Sequence, residues 1–272
     1  METAVIQPTS PVGAVFATLV ATSVLPGIGL AQDHDWCSDR GREGRACEVR
    51  EYVVEADGDL VIDGGMNGGV SVTGWDRDEV RVEARVWVTA QSDDRSKEIS
   101  DGIQISTGVD RIEADGPDLS RRESWAVSYR VWVPFETSLD LDTHNGGVSV
   151  AETTGEVRFR ALNGGVSIQG AAGDVSGRTT NGGVRVELTG QEWQGQGLDV
   201  ETTNGGVVVA IPEGYSAEFE TGTVNGGLDL DVPLTVEGKI GRRLRSTLGA
   251  GGATVRVVTT NGGVKVVRAA GG

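Results

Sequence analysis

Charged residues recur in this sequence at spacings that would set carboxylates and guanidiniums side by side. Asp140, Arg158, Ser176, Asp199 and Glu220 hold one set of equivalent positions, and Asp142, Arg160, Arg178 and Glu201 hold a second. Carboxylates clustered with Arg on one outer face are what a polysaccharide lyase or hydrolase needs, because one group must donate a proton while another accepts one or attacks. Opposite charges on adjacent strands also form a ladder that fixes register, and the alternation of sign fits that simpler role better. The remaining inventory holds little convergent chemistry. His34 lies near the expected mature N-terminus. His144 precedes Asn145 in a column otherwise filled by Leu162, Thr180, Thr203, Val224 and Thr260. Neither histidine has a catalytic partner nearby in sequence. Gly-x-Ser-x-Gly, the P-loop, the dinucleotide fingerprint and His-Glu-x-x-His are all absent. No catalytic residue and no cofactor is expected.

The elements that carry these residues are read from a repeat. Asn-Gly-Gly followed by an apolar residue occurs at Asn67, Asn145, Asn163, Asn181, Asn204, Asn225 and Asn261. The spacing is 18 residues from 145 to 163 and from 163 to 181, then 23 to 204, 21 to 225 and 36 to 261. The step of 23 contains "EWQGQG" and the step of 21 contains "IPEGYS", as loop insertions would. The step of 36 equals two periods, which suggests a unit that has lost its Asn-Gly-Gly. After each Asn the third and fifth residues are apolar, as in Val148 and Val150, Val166 and Ile168, Val184 and Val186, or Val207 and Val209. Before it the same alternation appears in Leu139 and Leu141, Val157 and Phe159, Leu198 and Val200, and Val255 and Val257. Each unit thus offers two short strands with one buried face, too little to be stable without stacked neighbours.

The tetrapeptide reads as architecture rather than as a ligand signature. Two glycines after Asn supply positive φ for a sharp turn, and stacked asparagines can form a ladder at about 4.8 Å per strand. Asn-Gly is also a strong hairpin signal, so periodicity alone leaves an antiparallel meander open. The close repetition of inward side-chain sizes favours a stacked solenoid. Ahead of the regular repeats, "SDDRSKEISDGI" suits a short helix, and residues 37 to about 135 suit a cap over the first coil.

Composition bounds the rest. The chain has 272 residues, 42 of them Gly, and a formal charge of -16, which argues against nucleic acid or anionic membrane as the principal partner. An apolar run from Val12 to Leu25 and the small residues before Gln32 read as an export signal cleaved after Ala31, although "METAVIQPTS" carries Glu2 and neither Lys nor Arg. No second apolar run is long enough to span a bilayer. Export makes a Cys37–Cys47 disulfide chemically reasonable. Metal binding is the weaker reading, because a structural zinc site needs four ligands and only His34 lies near the two cysteines. The Asn-Gly-Gly units also lack the alternating Asp of calcium-binding nonapeptide repeats.

Two places stand out for binding. Trp87 and Trp132 lie in strand-like runs and are expected in the core, whereas Trp193 sits in the inserted polar loop and is expected to be exposed. Arg242, Arg243 and Arg245 in "GRRLRS" form the one concentrated basic stretch and read as a solvated loop. Trp193 and these three arginines are the candidate ligand-binding residues.

The segments "VSVTGWDRDEVRVEARV", "WAVSYRVWVPFETSLDLDTHNGGVSV", "VAIPEGYSAEFETGTVNGGL" and "LGAGGATVRVVTTNGGVKVVR" resemble the bacterial putative adhesin family of secreted β-strand repeat proteins, over roughly residues 47 to 268. The resemblance implies a secreted, all-β, right-handed β-helix-like solenoid and carries over no catalytic residues. The expected organisation is a signal peptide over 1–31, an N-terminal cap with the first repeat over 32–135, and a β-solenoid of about 18-residue coils over 136–272. The expected protein is non-enzymatic, periplasmic, secreted or at the cell surface, with an envelope or extracellular glycan or protein as its partner. A polysaccharide-active enzyme is the alternative.

Overall fold

The computed structural model describes residues 34–37, 43–232 and 243–269. The expected leader, the side chain of His34 and Arg242 lie outside the described residues. Among the described residues, two sheets of 10 strands each contribute to one shared core. Spatial order in the first sheet is β1 (Arg45–Glu55), β4 (Glu79–Thr89), β7 (Ser124–Pro134), β3 (Val70–Trp75), β9 (Val148–Ala151), β11 (Val166–Gln169), β13 (Val184–Glu187), β15 (Val207–Ile211), β20 (Val264–Arg268) and β17 (Leu228–Leu230). In the second it is β18 (Arg243–Leu248), β16 (Ala217–Asn225), β19 (Thr254–Asn261), β14 (Gly197–Asn204), β12 (Asp174–Asn181), β10 (Val157–Ala161), β8 (Ser138–Thr143), β2 (Asp59–Asp63), β6 (Arg111–Asp115) and β5 (Gln104–Thr107).

Strands of the repeat pair in parallel. Val148, Val166, Val184, Val207 and Val264 stand opposite one another in sequence down the first sheet, and Leu139, Val157, Val175, Leu198 and Val255 do so down the second. A meander would pair antiparallel, so the chain coils in a solenoid-like stack. Each inward column is buried, Val184 and Val186 against Leu198 and Val200 in one continuous core. Size is shared between coils rather than within one. Gly177 occupies an inward place where a Cβ would come within 2.5 Å of the Phe159 ring, so the large side chain of one coil fills the space left by the next.

The two glycines of each turn differ in what they do. Neither falls at positive φ, contrary to the expectation from Asn-Gly chemistry. A Cβ on the first glycine would strike backbone of the adjacent coil: Gly164 at 1.9 Å from the Gly146 oxygen, Gly182 at 1.9 Å from Gly164, Gly205 at 2.0 Å from Gly182. Coils stack so closely at this corner that only hydrogen fits. The asparagines join into one chain of six amide hydrogen bonds, Asn145 donating to Asn67, Asn163 to Asn145, Asn181 to Asn163, Asn204 to Asn181, Asn261 to Asn204 and Asn225 to Asn261, at 2.7–3.1 Å. Inside the corner, the hydroxyls of Thr179, Thr202 and Thr259 donate to the carbonyls of Gly164, Gly182 and Gly205.

That ladder also corrects the reading of the 36-residue step. Asn261 lies between Asn204 and Asn225, because β19 and β20 insert between the Asn204 coil and the Asn225 coil. No degenerate coil fills the interval among the described residues. It holds β17 and β18 instead, and β18 runs antiparallel to β16. Arg243 and Arg245 therefore lie on a strand, where a solvated loop was expected.

At the other end, β1, β4 and β7 continue the first sheet as antiparallel strands. The expected short helix is α1 (Asp93–Gly102), whose cap Ser92 accepts from the Arg95 amide. Arg50 on β1 donates to the Ser100 and Ile103 carbonyls at the helix C-terminus, where a cation is favoured. Cys37 and Cys47 are bridged, with Cα atoms 5.7 Å apart.

Candidate functional site

Trp87 and Trp132 do not belong to the core. Burial alternates along β4 and β7, and the parity of both strands puts these indoles on the outer face, half-buried, while Val86, Val88, Val131 and Val133 point inward. Together with Trp75 and Trp36 they make a layer interleaved with arginines. Arg77 lies 4.7 Å from the Trp75 ring centre, Arg81 5.2 Å from Trp132, and Arg85 and Arg130 lie 5.3 and 4.0 Å from Trp36. The guanidiniums stack on the rings, a contact worth roughly 0.5–2 kcal/mol each. Trp36 is held there by the disulfide at Cys37 and by the Arg85 Nη1 bond to its carbonyl at 3.1 Å.

Beside this layer the outer face of the first sheet is low. A groove of about 730 Å³ crosses from β4 to β15. Its floor is the second glycine of successive turns, Gly69, Gly147, Gly165, Gly183 and Gly206, with the outward residues Ser71, Ser149 and Ser167 beside it. Arg85, Arg130 and Trp36 close one end, and Arg185 stands towards the other. No acidic residue is among those lining it. Burial lowers the pKa of Arg85 from its usual value, and the neighbouring charge of Arg130 lowers it further. The Arg85 Nε is buried with no hydrogen-bond partner among the described residues. The two guanidiniums thus lie on the same ring at the closed end.

The outer face of the second sheet carries the charged columns seen in the sequence. Arg160 bonds Asp142 at 3.0 Å, Arg256 reaches both Asp199 and Glu201, and Arg245 pairs with Glu220 at 3.1 Å. The Asp142 hydrogen bond raises the Arg160 pKa. For Arg256, burial pulls the value down, but the bonds from Glu201 and Asp199 outweigh it, leaving a net rise. Carboxylates already engaged by cations on neighbouring coils make the register ladder that alternating sign suggests.

Of the residues singled out for binding, Trp193 is buried, with 7% of its surface exposed, and its indole donates to the Gly173 carbonyl at 3.0 Å. The expectation of an exposed anchor is overturned. The insert folds back on the body because Gly195 and Gly197 adopt positive φ and Gly195 lies against Gly173, too close for a side chain. The largest apolar surface of the loop then goes into the core. The second insert is pinned as well: Tyr215 is buried, and the Ser216 amide bonds the Gln191 carbonyl. Arg243 and Arg245 are exposed on β18, far along the stack from Trp36 and on the other sheet. The groove residues were missed by sequence reasoning, since Gly and Ser carry no chemical signal. Their shared column position in every repeat was the available clue.

Residues 57–267 match the model of the family described as Toastrack DUF4097. The chain belongs to this family. Similarity to solved structures is remote. A putative cell adhesion protein from Clostridium sporogenes is 12% identical, with 82% of this chain and 100% of that chain covered and a TM-score of 0.42. A putative adhesin from Parabacteroides merdae is 10% identical, covering 81% and 97%, with a TM-score of 0.34, and a putative lipid binding protein from Parabacteroides distasonis is 7% identical, covering 80% and 96%, with a TM-score of 0.31. No curated protein matches the chain. This Toastrack chain is a domain of repeated β-strands.

Proposed function

We propose that the chain is an exported, non-enzymatic binding protein of the bacterial envelope or exterior, adhesin-like in mode of action. The observation that carries this reading is the contrast between its two outer faces. One is a long, low groove with an arginine and tryptophan end wall; on the other, Asp142, Asp199, Glu201 and Glu220 are engaged by arginines. Broad, preformed surfaces of this kind suit recognition, which concentrates on a few aromatic and Arg anchors. The disulfide agrees with an oxidising compartment. Among the described residues no helix is long and apolar enough to cross a membrane. On this reading residues 1–31 are the cleaved leader, 32–135 the cap with its first repeat, and 136–272 a right-handed solenoid with coils of about 18 residues.

The test uses protein recovered from the producing bacterium. N-terminal sequencing is expected to begin at Gln32, and the mature chain is expected to bind envelope fractions saturably without releasing new reducing ends or unsaturated sugars from polysaccharides. Catalytic release of such products would establish the polysaccharide-active reading in its place. Intact Met1 on the exported protein would remove the leader from the scheme.

A further inference from the structure

All seven asparagines of the chain stand before a glycine. Asn-Gly is the dipeptide most open to attack by its own backbone on the side-chain amide, because glycine places no Cβ in the way of its nitrogen. The ladder opposes that reaction. Attack needs the Asn side chain to swing back over the next peptide nitrogen, which breaks the amide bonds that hold it, and it needs that nitrogen free of a hydrogen bond of its own. Asn145, Asn163, Asn181, Asn204 and Asn261 each donate to one neighbouring side chain and accept from another. The nitrogens of Gly182, Gly205 and Gly262 donate to the carbonyls of Asn204, Asn261 and Asn225 at 3.0–3.1 Å. Gly146 and Gly164 make no such bond, but both are half-buried and follow asparagines clamped on both sides.

The two ends of the ladder differ. Asn67 accepts from Asn145, and the nitrogen that follows it, on the buried Gly68, donates to the Gly64 carbonyl at 3.0 Å. Asn225 donates to Asn261 at 2.8 Å, but among the described residues its Oδ1 accepts no bond and the Gly226 nitrogen donates none. Gly226 is also the one exposed residue among the seven first glycines of the turns. Asn225 stands opposite Asn261 on one flank, whereas on the other the described pairing of β16 with β18 ends at Gly222. Beyond the turn lies β17, three residues long and paired with β20 alone among the described residues.

We propose that Asn225–Gly226 is a site of spontaneous covalent modification, at which asparagine is converted to aspartate and isoaspartate while the ladder protects the other asparagines. The Gly226 nitrogen gives up its proton to solvent and bonds to Cγ of Asn225. The Cγ–Nδ2 bond breaks, and Nδ2 takes a proton from solvent and leaves as ammonia, closing a five-membered imide. Water then opens the ring. Cleavage between the nitrogen and Cγ leaves aspartate; cleavage between the nitrogen and the main-chain carbonyl carbon leaves isoaspartate, with the chain running through the side chain. Either route takes up one water and releases one ammonia. The donor to Asn261 is lost, an oxygen faces the Asn261 Oδ1 in its place, and a negative charge is added to a chain already at -16. The terminal turn loosens, and β17 frays first because it has a single partner strand.

The test holds the purified protein in mildly alkaline buffer, folded or in urea, and follows each asparagine by peptide mapping, with isoaspartate read by enzymatic methylation. In the folded protein Asn225 is expected to react about tenfold or more faster than Asn163 or Asn181, which is what one further hydrogen bond to break is worth. In urea all seven are expected to react at similar rates, since all share Asn-Gly-Gly. Asn225→Gln, whose attack would close a slower six-membered ring, is expected to abolish the product at this position. Folded protein in which Asn225 reacts no faster than Asn163 or Asn181 would overturn the assignment. Asn225→Asp is expected to speed amide exchange over Leu228–Leu230 about tenfold while leaving β13 unchanged. Unchanged exchange in β17 would overturn the loosening.

Discussion

Replacing Gly164 and Gly165 one at a time by alanine separates two roles that a single letter conceals. At Gly164 the added Cβ would sit 1.9 Å from the Gly146 oxygen and 2.4 Å from its carbonyl carbon, both backbone atoms. Relief requires the two coils to part by more than an ångström at a corner where the Asn163 amide bonds Asn145 at 2.8 Å and Thr179 reaches the Gly164 carbonyl at 2.7 Å. Overpacking costs about 1–3 kcal/mol where side chains can yield, and backbone against backbone belongs at or above the top of that range. A cost of about 3 kcal/mol lowers the melting temperature by roughly 6–12 °C for a domain of this size. At Gly165 the Cβ would lie 3.4 Å from the Gly183 oxygen and point outward. There the smaller entropy of the unfolded chain should dominate, giving a stabilisation of about 0.4–1 kcal/mol. Circular dichroism melts of the two variants are therefore expected to move in opposite directions. Equal shifts, or a Gly164→Ala variant as stable as the parent, would refute the close stacking on which the whole corner rests.

Asn181→Ala removes one hydrogen bond donated to Asn163 and one accepted from Asn204, both on the surface; a loss of about 1–2 kcal/mol is expected in urea unfolding, with the binding to envelope fractions proposed above unaltered. Trp193→Ala should cost about 3–5 kcal/mol, as a buried aromatic does, and stability close to the parent would return this residue to the surface. Burial, helped by Glu192, pushes the Tyr215 pKa up to about 12. Its unfolded value is about 10, so between about pH 10 and 12 the unfolded chain loses the proton first, binds fewer protons and is favoured. Stability should fall across that window, and Tyr215→Phe should flatten this part of the curve; an identical profile for the two proteins would contradict the burial.

The period-two alternation around each Asn was legible because an inward slot in a stacked coil accepts only an apolar side chain, and Val184, Val186, Leu198 and Val200 advertise the two faces directly. What the letters hid was governed by other physics. Gly164 and Gly165 look alike, yet one is forced by a carbonyl oxygen on another coil and the other is open to solvent. Trp87 and Trp132 were assigned by bulk when strand parity, with Val86 and Val88 inward, already placed them outside. Trp193 was assigned by the polarity of its neighbours, although a loop rich in glycine can fold back and bury its one large apolar group. The groove itself could not be read from any residue type, because its floor is made of the absence of side chains.

The order of coils carries a further consequence. A solenoid whose last coil in space is also its last in sequence can fray from that end, since each coil is held by its neighbours alone. Here β19 and β20 are held on both sides, by β14 and β15 on one flank and by β16 and β17 on the other. The Asn261 amide donates to Asn204 and its carbonyl side accepts from Asn225, so the ladder passes through the C-terminal repeat without a break. The outermost position of the second sheet goes instead to β18, antiparallel to β16 and carrying the exposed Arg243 and Arg245. The outermost position of the first sheet goes to β17, the short strand that follows Asn225 and pairs in parallel with β20. Among the described residues the 36-residue step thus inserts the last repeat into the stack and leaves β18 at the edge of the second sheet and β17 at the edge of the first, so the sequence order of the repeats is not their order in space.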